Sequence, residues 1–95
     1  MIQRIVKLTI HPDKMDLFVS MFKLSKPKII GFGGCSQVKL LRANYPDNIV
    51  FTYSYWTDAE SLERYRNSEL FKEIWKNVKP LFAGKPEAWS VDEIA

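Results

Sequence analysis

One histidine, one cysteine and an unusual supply of tyrosines and tryptophans are the residues of this chain that could do chemistry. His11 is the single imidazole, the side-chain type best suited to proton transfer near neutral pH, so it is a candidate general base for a phenolic proton. Beside Pro12, at a strand–helix junction, it serves equally as a surface cap. Tyr53 and Tyr55 could donate hydrogen bonds to a phenolate or quinone oxygen; equally, they are the large amphipathic contacts a subunit interface uses. Phe22, Phe71 and Trp75 have helical spacing toward a sheet, where they either sandwich a flat ligand or pack a core. Trp56 and Tyr65 carry the same two readings. The candidate catalytic residues are therefore His11, Tyr53 and Trp56, and the candidate ligand contacts Phe22, Tyr55, Tyr65, Phe71 and Trp75.

Other chemistries find no footing. Cys35 follows Gly33-Gly34 with no His or helix N-terminus predicted beside it, which describes an inert strand thiol. Gly31-Phe32-Gly33-Gly34 lacks the strand–turn–helix setting of a phosphate loop. No His/Asp/Glu group has metal-ligand spacing. Neither a metal nor a cofactor is expected.

The elements that must position these residues follow from periodicity. Ile2 to Ile10 alternates, with Ile2, Arg4, Val6, Leu8 and Ile10 on one side and Gln3, Ile5, Lys7 and Thr9 on the other, so it is a half-buried strand. Pro12 and Asp13 suit the first turn of a helix. Met15, Phe18, Val19 and Phe22 form its apolar stripe, and Lys26-Pro27 is expected to end it, since a residue before proline resists helical geometry. Ile29 to Gly34 reads as a glycine-rich connection, Cys35 to Ala43 as a second strand, Asn44 to Asn48 as a turn, and Ile49 to Trp56 as a third strand.

Thr57-Asp58-Ala59-Glu60 reads as a capping box with Thr57 as N-cap. The helix it opens breaks near Asn67-Ser68, and Ser68 recaps a segment whose stripe is Leu70, Phe71, Ile74, Trp75 and Val78. Glu87 to Val91 is a last short strand. The sum is β-α-β-β-α-β, an α+β ferredoxin-like order: a four-stranded antiparallel sheet with its helices on one face.

At 95 residues, with 46% hydrophobic and 26% charged, the chain has room for one domain and one core, residues 1–95. The net charge of +3 is spread, with a mild cluster at Lys23, Lys26 and Lys28 that reads as solvated surface. Neither a nucleic-acid partner nor a membrane is expected. The single cysteine suits a reducing cytoplasm, and Met1 to Ile5 has none of the marks of a signal peptide.

Two helices can cover only one face of a four-stranded sheet, yet the third strand is apolar on both. Ile49, Phe51, Tyr53 and Tyr55 point one way; Val50 and Trp56 point the other. The second strand adds Val38 and Leu40 against Cys35 and Leu41. A bare apolar face of this kind marks a contact surface, most often with a second copy of the same chain. A homodimer is expected.

With that order in place, Phe51-Thr52-Tyr53-Ser54-Tyr55-Trp56-Thr57-Asp58-Ala59-Glu60-Ser61-Leu62-Glu63-Arg64-Tyr65, followed by Asn67-Ser68-Glu69-Leu70-Phe71 and Trp89, resembles the antibiotic biosynthesis monooxygenase superfamily. The resemblance implies a dimeric α/β-barrel with a cavity in each subunit between helices and sheet. Cofactor-free members oxidise polycyclic phenols to quinones with molecular oxygen; others degrade haem. In the quinone-forming branch a Trp, an Asn, a Tyr and an Arg surround the substrate. Only the Trp is matched here, as Trp56, while Thr52 stands where the strand Asn is expected. Against the haem branch, Trp75 occupies the position of the ligating His, Val6 that of the first-strand Asn, and Tyr65 that of the Trp that presses on the haem.

The function implied is a cofactor-independent monooxygenase, an oxidoreductase acting on a small aromatic or phenolic metabolite. The alternatives are a non-catalytic dimer that binds a small hydrophobic ligand and, third, a haem-binding relative.

Overall fold

The computed structural model describes residues 1–95. Four strands, β1 (Ile2–Thr9), β2 (Cys35–Arg42), β3 (Ile49–Trp56) and β4 (Glu87–Val91), pair antiparallel in the order β2-β3-β1-β4. Between them run α1 (Met15–Gly31), α2 (Ala59–Arg66) and α3 (Glu69–Val78). This is the ferredoxin-like α+β fold. The register sets Ile5 of β1 against both Tyr53 of β3 and Trp89 of β4, and Arg4 against both Ser54 and Ser90. Odd positions of β1 therefore share one face, and even positions the other.

All the helices lie on the even face. Its buried residues form two clusters: Leu8, Ile10, Met15, Phe18, Val50, Val78 and Leu81 toward one end, and Ile29, Cys35, Val38, Trp56, Leu62 and Tyr65 toward the other. Ile10 and Trp56, at 0% and 1% exposure, anchor them.

Four details differ from expectation. Lys26-Pro27 does not end α1, which continues to Gly31 with Pro27 inside it. Proline removes the N–H that would bond to the carbonyl of Lys23. Lys23 and Pro27 both lie on the exposed side of the helix, where solvent can reach that carbonyl, and buried Ile29, two residues on, holds the last turn to the core. Ile29 to Gly31 is thus helix, and the connection shrinks to Phe32-Gly33-Gly34.

Cys35 does not face away from Val38. The register with β3 slips between Cys35 and Gln37, and this bulge turns Cys35 onto the helix side with Val38, both buried. The N-cap of α2 is Asp58, whose Oδ1 accepts from the Ser61 N–H at 2.8 Å, rather than Thr57. Thr57 instead donates its backbone N–H to the Gly34 carbonyl at 2.8 Å, tying the end of β3 to the turn before β2. Finally, β1 and β2 close at Thr9 and Arg42; Ile10 makes an isolated bridge to Phe82.

Ser68 caps α3 as the sequence indicates, accepting from the Phe71 N–H at 3.1 Å. The break between α2 and α3 lets Tyr65 and Phe71, one from each helix, meet edge to face.

Candidate functional site

Between the helices and the even face of the sheet lies a partly enclosed cavity of about 290 Å³. That is near the lower end of small-molecule sites, roughly 300–1,000 Å³. Of its 21 lining residues 15 are hydrophobic, so it would bind mainly by excluding water from an apolar body.

Its most ordered feature is a ladder of five rings. Trp56 stacks on Tyr65 at 5.0 Å between centroids and 29° between planes. Tyr65 meets Phe71 edge-on at 5.2 Å, Phe71 meets Trp75 at 5.7 Å, and Trp75 meets Phe82 edge-on at 5.5 Å. All five line the cavity, with Phe22 of α1 across from them. Offset and edge-on contacts of this kind are each worth about 0.5–1.5 kcal/mol beyond area burial. The rings brace one another and leave their remaining faces to a ligand.

Hydrogen bonds fix the floor. Trp56 Nε1 donates to Ser54 Oγ at 2.9 Å, and that hydroxyl donates in turn to the Arg4 carbonyl at 3.5 Å. The indole orientation is thereby tied to the central strand. Burial pushes the Tyr65 phenol well above its ordinary range, with the neighbouring Cys35 adding to the effect. Tyr65 is accordingly a neutral hydroxyl at any physiological pH. Burial also pushes the Cys35 thiol up, partly opposed by backbone hydrogen bonds, so it stays protonated and unreactive.

The structure divides the sequence-derived candidates. Trp56, Phe22, Tyr65, Phe71 and Trp75 line the cavity together. His11, Tyr53 and Tyr55 do not. His11 is exposed at the start of the 3₁₀ turn Pro12–Lys14. Tyr53 and Tyr55 stand on the opposite sheet face, where the Tyr53 hydroxyl donates to Gln3 Oε1 at 2.6 Å and the two rings lie 5.1 Å apart. The reason is parity: Tyr53 and Trp56 are three residues apart on one strand, so they cannot share a face.

Sequence reasoning passed over two cavity residues of a different character, Arg4 on β1 and Arg66 in the last turn of α2. Arg4 carried a readable signal, since it is the one charge on the side of β1 that otherwise holds Ile2, Val6, Leu8 and Ile10. Its guanidinium donates to Ser90 Oγ at 3.1 Å. No three His, Cys, Asp or Glu side chains converge as a metal-binding group, and no helix is long and apolar enough to cross a membrane.

A four-stranded antiparallel sheet whose helices, all on one face, enclose an aromatic-walled cavity defines an α+β protein of the ferredoxin-like class. The chain belongs to the antibiotic biosynthesis monooxygenase family, whose pattern it matches over residues 1–77. No curated protein matches it in sequence. Solved structures match its fold along nearly their whole length. A Bordetella bronchiseptica protein described as a candidate antibiotic biosynthesis monooxygenase superposes with a TM-score of 0.91 at 22% identity, covering 99% of this chain and 97% of its own. A conserved protein from Methanosarcina mazei Go1 gives 0.90 at 20% identity, covering 98% and 92%. Rv0793 from Mycobacterium tuberculosis gives 0.86 at 12% identity, covering 99% and 95%.

The cavity offers no imidazole to a haem iron, since the single histidine, His11, lies outside it.

Proposed function

We propose that the cavity receives a small, flat aromatic or phenolic molecule and that the protein oxidises it with molecular oxygen without a cofactor. The five-ring ladder from Trp56 to Phe82 carries this reading, together with family membership. The chemistry asks little of the protein. An anthrone-type substrate supplies its own electrons: its ring methylene becomes a carbonyl, one oxygen atom enters the ring and the other leaves as water with the two methylene hydrogens. What the site contributes is a water-poor, apolar enclosure in which an ionised substrate meets oxygen. Trp56 and Tyr65 hold the ring plane, and the neutral Tyr65 hydroxyl is one donor in the cavity wall.

Oxygen uptake by the purified protein with anthrone and hydroquinone substrates tests the reading. Uptake well above the spontaneous rate, and its loss in Trp75→Ala, supports it; no excess over the spontaneous rate across such a panel overturns it.

One observation favours a second reading, a ligand-binding dimer without catalysis. No carboxylate or imidazole lines the cavity, so no ordinary general base faces a bound phenol. Ligand affinity that falls in cavity variants, with no turnover to lose, distinguishes it.

In either case we propose that the working unit is a homodimer joined through the odd face of the sheet. Ile5, Phe51, Tyr53, Tyr55, Leu41 and Trp89 lie there without cover; Leu41 is 45% and Trp89 47% exposed. A sedimenting species of twice the 11.1 kDa chain mass at micromolar concentration supports this, and a stable monomer overturns it.

A further inference from the structure

Two arginines in the wall of a mostly apolar and otherwise uncharged cavity need an explanation. Arg66 has one: it lies in the last turn of α2, where a cation complements the helix dipole, and it pairs with Glu63 at 3.4 Å. Arg4 has none of that kind. It sits on β1, a strand flanked on both sides, on the face that packs against helices, and it has no acidic partner. Its one side-chain bond is to the neutral hydroxyl of Ser90. Burial makes the charged form of its guanidinium less favourable, and nearby Arg66 adds to this, with only Glu63 opposing. Two cations therefore line one cavity whose wall holds no carboxylate, and the one carboxylate that offsets Arg4, Glu63, is already engaged by Arg66. A group of opposite charge placed there would relieve both the desolvation and the repulsion.

We propose that Arg4 and Arg66 form an anion seat at one end of the cavity, so that the ligand is an aromatic anion: a flat apolar body against the ring ladder and a carboxylate or ionised phenol at the arginines. The inference rests on the reading of the cavity as a ligand site. It adds an explanation of how an enclosure without a general base handles an acidic substrate. The two cations hold the ligand in its ionised form, lowering the ligand's own pKa on binding.

The test compares 2-naphthoate with its neutral isostere 2-naphthamide by calorimetry at neutral pH and low salt. The expected result is that naphthoate binds at least about tenfold tighter, the size of one charge-assisted hydrogen bond. Arg4→Met abolishes the preference, Arg4→Lys retains part of it, and Arg66→Gln reduces it. Lys14→Met, which removes one exposed positive charge outside the cavity, leaves it unchanged, which separates the seat from general attraction to a basic protein. If Arg4→Met fails to fold, Arg66→Gln decides the matter, because Arg66 is on the surface of a helix end. Equal affinity for the two probes, or a preference untouched by Arg66→Gln and Arg4→Met alike, overturns the anion seat while leaving the cavity a ligand site. Binding of neither probe overturns the seat together with the cavity reading.

Discussion

The two faces of one strand make the most instructive contrast in this molecule. On β3, Val50, Ser54 and Trp56 are buried beneath the helices, whereas Phe51, Tyr53 and Tyr55 alternate with them onto a face that nothing covers. Both faces are rich in large side chains, yet they stand for different purposes. Under the helices the rings interlock at 5.0–5.7 Å and still leave an open space. On the opposite face Tyr53 and Tyr55 lie against each other, with the Tyr53 hydroxyl bonded to Gln3 and the Lys39 ammonium 5.9 Å from the Tyr55 ring. The aromatic excess of the composition is therefore two populations. One builds an enclosure within the chain, and the other lies on a face that no element of the chain covers.

The sharpest way to break this contrast is to truncate one residue from each population. Trp56→Ala removes a fully buried indole, its stack on Tyr65 and its bond to Ser54, and should cost about 3–5 kcal/mol in denaturant unfolding. Tyr55→Ala, one position earlier, should leave the unfolding free energy of the isolated chain within about 0.5 kcal/mol, in the range of ordinary surface changes. Equal losses at low protein concentration would mean that both faces are core and that the division is wrong.

Much of this was legible in the chain before any coordinates. Alternation in β1 and β3, the Ser68 cap and the stripe from Leu70 to Val78 gave the element order and all five aromatic candidates that do line the cavity. The misplacements have physical causes that local pattern does not carry. Pro27 reads as a stop because its cost is local, while what outweighs it, burial of Ile29 beyond it, is tertiary. Cys35 changed faces because a bulge is invisible to a period-two reading. Tyr53 and Tyr55 are a different case: their parity on the strand already sets them on the face opposite Trp56, away from the cavity. Arg4 was equally visible as a charge among apolar positions, but a single charge on a strand is easily read as an edge until the flanking strands are known.

The outer population can be challenged directly. Ile5 sits between Tyr53 and Trp89 in register, at the middle of the bare face. Ile5→Asp should weaken association by about 30-fold or more, equivalent to the loss of a central interface contact worth about 2 kcal/mol. Sedimentation would show the lighter species at micromolar concentration with unchanged circular dichroism. An association constant that does not move would place any dimer contact elsewhere.

The enclosed population depends on a seam with no counterpart on the other face. Gly34 has φ +89°, and a Cβ there would come within 2.5 Å of the Ser61 Cβ at the start of α2. Gly34→Ala should therefore strain both the turn and the seat of α2, costing about 1–3 kcal/mol in stability. Gly31→Ala, which meets no atom within 4 Å, is the control and should cost nothing measurable. Were the two variants equally stable, the close approach of the turn to α2 would not be what holds that helix over the cavity.

The smallest effect separates the two populations by their protons. Burial raises the Tyr65 phenol above its ordinary value near 10, with Cys35 adding to it. Above that ordinary value the unfolded chain loses this proton while the folded chain keeps it. The unfolded state then binds fewer protons, and stability falls as pH rises. The contribution is whole below about pH 10 and declines by about 1.4 kcal/mol for each further pH unit until the folded phenol itself ionises. Tyr65→Phe should remove this part of the alkaline slope, although it lowers stability little at neutral pH because ring stacking on Trp56 and Phe71 is kept. Unfolding free energies between pH 9 and 11 for both proteins measure it. Parallel slopes would show that Tyr65 shares water as freely as the tyrosines of the open face, and that the cavity is wetter than its ring-lined wall implies.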